Sequence, residues 1–197
     1  MSILVGLTGP TGSGKSTAAA VAEKMGIKVI DCDKLARKAV ERGSEGLKAL
    51  VNAFGSDILA SDGSLDRKAM AKRAFSSQEN TELLNKTLLP HISELVKSQL
   101  DAERILLDAP TLFESGLDSI CDKTVAVLSD PAKRLARIME RDSLTSDEAL
   151  QRMNAGKNDK FYIERSDHII YNNDGSNIFE FEIAGLFKVI YGGKTNV

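Results

Sequence analysis

The sequence predicts an α/β fold built on a central five-stranded parallel sheet, and three observations carry that expectation. Five short runs, 3–7, 27–30, 104–108, 124–128 and 168–171, are mostly apolar and have the length of buried strands. Helical patterns separate them, as a parallel sheet requires, because parallel neighbours need a long crossover connection. The first run leads through a glycine-rich octapeptide straight into an alanine-rich segment, which sets a strand, a tight turn and a helix in succession.

Taken in order, Ile3-Leu4-Val5-Gly6-Leu7 is the first strand, and Ser16 to Lys24 belongs to the first helix, stopped by Gly26. Ile27 to Ile30 is the second strand, ending at Asp31-Cys32-Asp33 in extended backbone. A helical block follows without a strand signal: Lys34 to Glu41, then a helix capped by Ser44 with Leu47, Leu50, Val51 and Phe54 at helical spacing. After the turn Asp62-Gly63-Ser64, three more helices are expected at 66–75, 78–89 and 90–100, the last two divided by Pro90. The third strand ends at Asp108 and leads into a loop or short helix over 109–116. The fourth leads to Ser129-Asp130-Pro131, a capped helix start with proline in its first turn. Thr145 to Glu148 spells a capping box, and 157–165 reads as helical. The last helix carries Phe179, Ile183, Leu186 and Ile190 along its packing stripe.

At 197 residues the chain has room for one α/β domain with an inserted subdomain. The core is expected at about 1–33, 104–130 and 167–197, a helical acceptor-binding insertion at about 34–103 and a helical lid at about 131–166. A net charge of −2 argues against a broad nucleic-acid or anionic-membrane footprint. No apolar run has transmembrane length, and no secretory leader precedes the first strand, so a cytoplasmic protein is expected. Cys32 and Cys121 lack metal-ligand spacing and read as reduced thiols.

The octapeptide Gly9-Pro10-Thr11-Gly12-Ser13-Gly14-Lys15-Ser16 has the spacing of a phosphate cradle. Glycines let backbone N–H groups converge on phosphate oxygens, and the following helix adds the positive end of its dipole. Lys15 supplies a point charge for the β- and γ-phosphates of a nucleoside triphosphate, and the Ser16 hydroxyl a ligand for Mg²⁺; the octapeptide suits a kinase, a GTPase or a secretion-type ATPase equally well. Thus the expected architecture is the three-layer P-loop NTPase fold. Asp108, ending a buried strand, is where such sites place a second magnesium-linked carboxylate. Asp31 and Asp33, two apart in extended backbone, point the same way and suit a kinase: one accepts the proton of an attacking hydroxyl and their repulsion raises the pKa of one. Equally, one of them can cap the helix beginning at Lys34. Lys133 and Arg134 read as a solvated helix face, whereas Arg137, Arg141 and Arg152 stand between that reading and a lid closing on the migrating phosphoryl. His168 reads as a structural histidine. A nucleotide switch or motor is the competing class, but Asn85-Lys86-Thr87-Leu88 fails the guanine-reading pattern at its last position and no basic track exists.

Together with Leu7-Thr8-Gly9, Asp31-Cys32-Asp33 with Ala36-Arg37, Phe54-Gly55, Asp62 to Arg67, Pro110 with Leu112-Phe113-Glu114 and Gly116, Arg141-Asp142, and Asp167 with Ile170 and Asn172, the phosphate loop makes the chain resemble the dephospho-coenzyme A kinase family over almost its whole length. The resemblance implies ATP-dependent phosphorylation of the ribose 3′-hydroxyl of dephospho-coenzyme A, with Mg²⁺; the sequence does not give the oligomeric state, and a monomer is favoured. It implies Asp33 as general base, Arg141 as lid arginine on the phosphoryl group, and Gly9, Gly12, Ser13, Gly14, Lys15, Ser16, Thr17 and Asn172 as nucleotide-binding residues. Thr8, Asp31, Arg37, Pro110, Leu112, Phe113 and Glu114 are implied on the acceptor side. The chain departs from the family pattern at Pro10-Thr11, at Leu89 in place of histidine and at Gly156 in place of glutamine.

Overall fold

Because strand and helix signals alternate as they do, the chain folds around a five-stranded parallel sheet. The computed structural model describes residues 2–192. The strands are β1 (Ile3–Thr8), β2 (Lys28–Asp31), β3 (Arg104–Asp108), β4 (Lys123–Leu128) and β5 (His168–Tyr171), in the order β2-β3-β1-β4-β5. β1 is central, and its register against β3 sets Leu7 beside Asp108, so the phosphate loop and that carboxylate leave the sheet at the same edge. The helices are α1 (Lys15–Lys24), α2 (Cys32–Ala39), α3 (Glu45–Phe54), α4 (Arg67–Ala74), α5 (Gln78–Lys97), α6 (Pro131–Asp142), α7 (Ser146–Asn154), α8 (Asp159–Ile163) and α9 (Ser176–Gly192).

Two compact units emerge. The first comprises 1–30, 102–112 and 121–197 and contains the sheet. One face of its strands, with Val5, Leu7, Leu106, Val125, Val127 and Ile170, packs with Ala18, Val21 and Ala22 of α1 and with Phe179, Ile183 and Phe187 of α9. The alternate residues Leu4, Ile105, Leu107, Ala126 and Leu128 are buried as well, which is why the strands read as unbroken apolar runs. At Gly6 a side chain would run into Leu112, 2.7 Å from an added Cβ.

Unit 2 comprises 31–101 and 113–120. Val40, Leu50, Phe54, Ile58, Met70 and Ala74 form its core, joined by the partly buried Leu84 and Leu88. Here the expectation of two helices divided by Pro90 is corrected: α5 runs unbroken through that proline. Proline forfeits one backbone bond and crowds the carbonyl four residues back. Apolar residues on both sides of it, Leu84 and Leu88 before and Ile92 and Val96 after, offset that cost by burying one continuous face.

Other boundaries also shift. α2 begins at Cys32, not Lys34, because Asp31 caps it, accepting from the Lys34 N–H at 3.0 Å. The Thr145–Glu148 capping box forms as expected. Asp130 precedes α6 without a capping bond, its carboxylate accepting instead from Asn173 Nδ2 at 3.0 Å.

Candidate active site

Between β1 and α1 the loop turns on glycines at positive φ, 147° at Gly9 and 102° at Gly14. A Cβ at Gly9 would lie 2.3 Å from the Val127 carbonyl, and one at Gly14 2.0 Å from Asn172 Nδ2. No side chain fits either place.

Three consecutive loop carbonyls are held from behind. Arg134 Nε donates to the Thr11 carbonyl at 3.0 Å, Arg137 Nη1 to that of Gly12 at 3.2 Å, and Asn172 Nδ2 to that of Ser13 at 2.9 Å. A peptide unit is planar and trans, so a carbonyl pinned in one direction sends its N–H the opposite way. The Gly12 and Gly14 N–H groups therefore point away from α6 and β5, as the first N–H groups of α1 lack helical acceptors too, while the Ser13 N–H closes a turn onto the Pro10 carbonyl at 3.2 Å. The Ser13 hydroxyl is buried with no hydrogen-bond partner. Unsatisfied donors at a helix N-terminus together with a buried orphan hydroxyl suit a polyphosphate, which supplies many acceptor oxygens.

The donors that pin the loop are anchored in turn. Arg134 is 5% exposed and pairs with Asp159 at 3.1 Å. Its reading as a solvated residue is corrected: it shares the buried face of α6 with Ile138, one turn on. Arg137 also reaches Ser129 Oγ at 3.1 Å and the Asn172 carbonyl at 3.0 Å. Both arginines act on the loop's backbone, a role that spacing did not reveal, since a charge at helical period looks the same whether its face meets water or a ring of carbonyls. Lys133, the solvated side of the same reading, remains exposed and donates to the Asn173 carbonyl.

Lys15 Nζ is paired with the Asp108 carboxylate. This places the expected phosphate lysine and the expected magnesium carboxylate within reach of each other at the carboxyl ends of β1 and β3. Ser16 is exposed in the first turn of α1, with Thr17 beside it. Among the described residues no cluster of three or more His, Cys, Asp or Glu is placed to hold a metal ion. Mg²⁺ does not need one, since it binds through one or two protein oxygens, waters and substrate phosphates. Ser16 and Asp108 fit that mode.

Thr8 is fully buried, its hydroxyl donating to the Pro110 carbonyl at 3.2 Å, and Leu112 is buried against Gly6. Arg141 forms a two-pronged pair with Asp142, Nε to Oδ1 at 2.9 Å and Nη2 to Oδ2 at 2.8 Å, and Arg152 reaches the same carboxylate at 2.8 Å. Hydrogen bonding to Asp142 raises the Arg141 guanidinium above its ordinary value, and the Arg141 bond first, then the charges of Arg141 and Arg152, hold Asp142 below the usual carboxylate range.

Asp31, Asp33, Arg37, Phe113 and Glu114 belong to the second unit. The extended pair expected at Asp31 and Asp33 is corrected: Asp31 caps α2 and Asp33 lies in its first turn, so the two no longer share an extended strand's face. Nor is Asp31 raised. Burial pushes its carboxyl up, but the Lys34 N–H and ammonium, the latter at 3.3 Å, outweigh it and hold it low. Arg37 lies in the last turn of α2, and the Glu114 carbonyl accepts from Asn85 Nδ2 at 2.7 Å.

Comparison with known proteins follows the same lines. The model of the dephospho-CoA kinase family matches residues 3–177. The chain belongs to that family. A dephospho-CoA kinase of Listeria monocytogenes serovar 1/2a is 38% identical over 176 residues, covering 86% of this chain and 88% of the relative. A crystal structure of a Thermus thermophilus protein superposes with a TM-score of 0.77 at 29% identity, covering 99% of each chain. A solved structure of a dephospho-CoA kinase from Campylobacter jejuni, at 24% identity and TM-score 0.68, covers 99% of this chain and 100% of its own and shares the fold. As a member of that family the chain is an ATP-dependent kinase.

Proposed function

We propose that this chain transfers the γ-phosphoryl group of ATP to the ribose 3′-hydroxyl of dephospho-coenzyme A, giving coenzyme A and ADP. Family membership supports the reaction, and the three pinned carbonyls of the phosphate loop are the observation that carries the donor side. The loop N–H groups, with Gly9, Gly12, Ser13, Gly14 and Thr17, hold the polyphosphate. Lys15 exchanges its Asp108 partner for phosphate oxygens as the nucleotide enters. Ser16 and Asp108 hold Mg²⁺, which when bound neutralises charge on the β- and γ-phosphates.

On the acceptor side Asp33 takes the proton of the attacking hydroxyl, an effect worth about 10²- to 10⁴-fold. It lies in the first turn of α2, and its carboxylate oxygens are the acceptors this step needs. Asp31 is committed to its cap and serves by fixing the start of α2. Arg37 and the 110–114 segment bind the acceptor, Thr8 and Leu112 by shaping that segment. Arg141 neutralises the migrating phosphoryl group after leaving one prong of Asp142. The protein works in the cytoplasm; among the described residues no helix is long and apolar enough to cross a membrane.

Asp33→Asn tests the assignment: ATP binds within about threefold of the parent while turnover falls by about 10²-fold or more. Normal turnover removes Asp33 as base. ADP release measured with and without dephospho-coenzyme A tests the class. A kinase stays nearly silent until the acceptor is added, whereas acceptor-independent hydrolysis points to a switch or motor. If adenosine monophosphate serves equally well, the acceptor assignment fails and the kinase reading stands.

A further inference from the structure

The inward stripe of α9 is Phe179, Ile183 and Phe187, all buried under the sheet. Its outward stripe carries large apolar groups in solvent: Phe181 is 82% exposed, Val189 71% and Ile178 50%. An isolated exposed apolar residue needs no explanation, but three on one stripe of one helix form a patch. Gly185 lies at its middle, exposed, with open space where a Cβ would be.

The outward stripe is symmetric about that glycine. Glu182 precedes it by three residues and Lys188 follows it by three; Phe181 precedes it by four and Val189 follows it by four; Ile178 and Gly192 stand seven away on either side. On an α-helix these offsets lie within about 60° of the central residue, so all of them share one face. All are exposed. Such an arrangement is self-complementary under a two-fold axis through Gly185. Two copies of the helix set antiparallel bring Glu182 of each to the height of Lys188 of the other, and Phe181 of each to that of Val189. Among the described residues neither Glu182 nor Lys188 forms an ion pair within its own chain, which leaves both to pair across the axis. The glycine lets the helix axes approach closely at the centre, and antiparallel dipoles add a favourable term.

We propose that the outward face of α9 is the interface of a homodimer in which a second copy of this chain packs its α9 antiparallel on the first. A closed two-fold contact is the commonest way in which identical chains associate. One helix face is small beside the roughly 800 Å² per partner of a standard interface, so the dimer forms with a dissociation constant on the order of 100 μM.

Sedimentation equilibrium of the full chain from about 10 μM to 1 mM, at low salt, tests this. The expected weight-average mass rises from one toward two chains. Glu182→Lys and Lys188→Glu, each alone, put like charges at the same height and weaken the dimer by tenfold or more. The combined charge swap restores opposite charges and returns association to within about threefold of the parent. Gly185→Cys, whose thiols meet at the axis, gives a covalent dimer on mild oxidation, while the parent treated alike does not. A chain that stays monomeric throughout, or a dimer indifferent to Glu182→Lys, overturns the proposal. So does a double swap that is weaker than either single change.

Discussion

Gly14→Ala perturbs the point where the loop, α1 and β5 meet. The alanine inherits φ of 102°, outside the regions open to L-residues, at a cost of about 1–2 kcal/mol. Its Cβ starts 2.0 Å from Asn172 Nδ2, a separation that no real structure tolerates, so the amide must leave. Leaving breaks its 2.9 Å bond to the Ser13 carbonyl, in a place where both groups are buried, at about 1–3 kcal/mol. The sum is about 2–5 kcal/mol. With a urea slope of about 2 kcal/mol per molar, the unfolding midpoint falls by about 1 M or more. Asn172→Ala alone costs the hydrogen bond and nothing else, about 1–3 kcal/mol. In the double variant the obstruction is gone and the bond is lost only once, so the two costs do not add: the pair is more stable than the sum of singles by the cost of that bond, about 1–3 kcal/mol. Urea unfolding of all four proteins measures this, with ATP binding as a second readout that follows loop geometry. Additivity within about 0.5 kcal/mol, or a Gly14→Ala midpoint at the parent value, would refute the claim that Asn172 and Gly14 fit each other.

Three further outcomes are expected. Arg134→Met keeps the apolar stem but leaves the Thr11 carbonyl without its donor, so ATP affinity falls about 5- to 100-fold while Asp159→Asn changes it much less; isothermal titration distinguishes the two. Burial raises the Asp167 carboxyl, but the Thr124 hydroxyl and N–H and the Lys123 ammonium outweigh it and hold it low. Its folded pKa is thus below the unfolded one, so its contribution is whole above about pH 4 and drains as pH falls through the folded value; the stability gap between the parent and Asp167→Asn, followed by urea midpoints, narrows over that window. Gly46→Ala drives a Cβ to 2.2 Å from the Ala39 carbonyl and destabilises the protein by about 1–3 kcal/mol, whereas Gly156→Ala, with its nearest neighbour at 3.5 Å, stays within about 0.5 kcal/mol in the same unfolding assay.

Whatever depends on local order along the chain can be read from the residues alone. Strand, octapeptide and helix follow one another within the first 24 residues, and glycines at fixed offsets have one use beside a buried strand and a helix N-terminus, so the phosphate loop was legible without neighbours. The five strands were legible too, because a sheet covered on both faces leaves unbroken apolar runs. Tertiary structure decided what depends on which surfaces meet. Pro90 breaks a helix by local rules, yet α5 continues because apolar side chains are buried both before it, at Leu84 and Leu88, and after it, at Ile92 and Val96. Arg134 and Arg137 are spaced like any solvated arginines, and only the approach of α6 to the loop makes them clamps for carbonyls. Asp31 and Asp33 alternate like strand residues, but the hydrogen bond that the Lys34 N–H donates to the Asp31 carboxylate starts a helix between them and parts their directions. Short-range pattern encodes where backbone donors and acceptors are satisfied locally; the partners of buried charges are chosen by distant segments, and no window of sequence contains both.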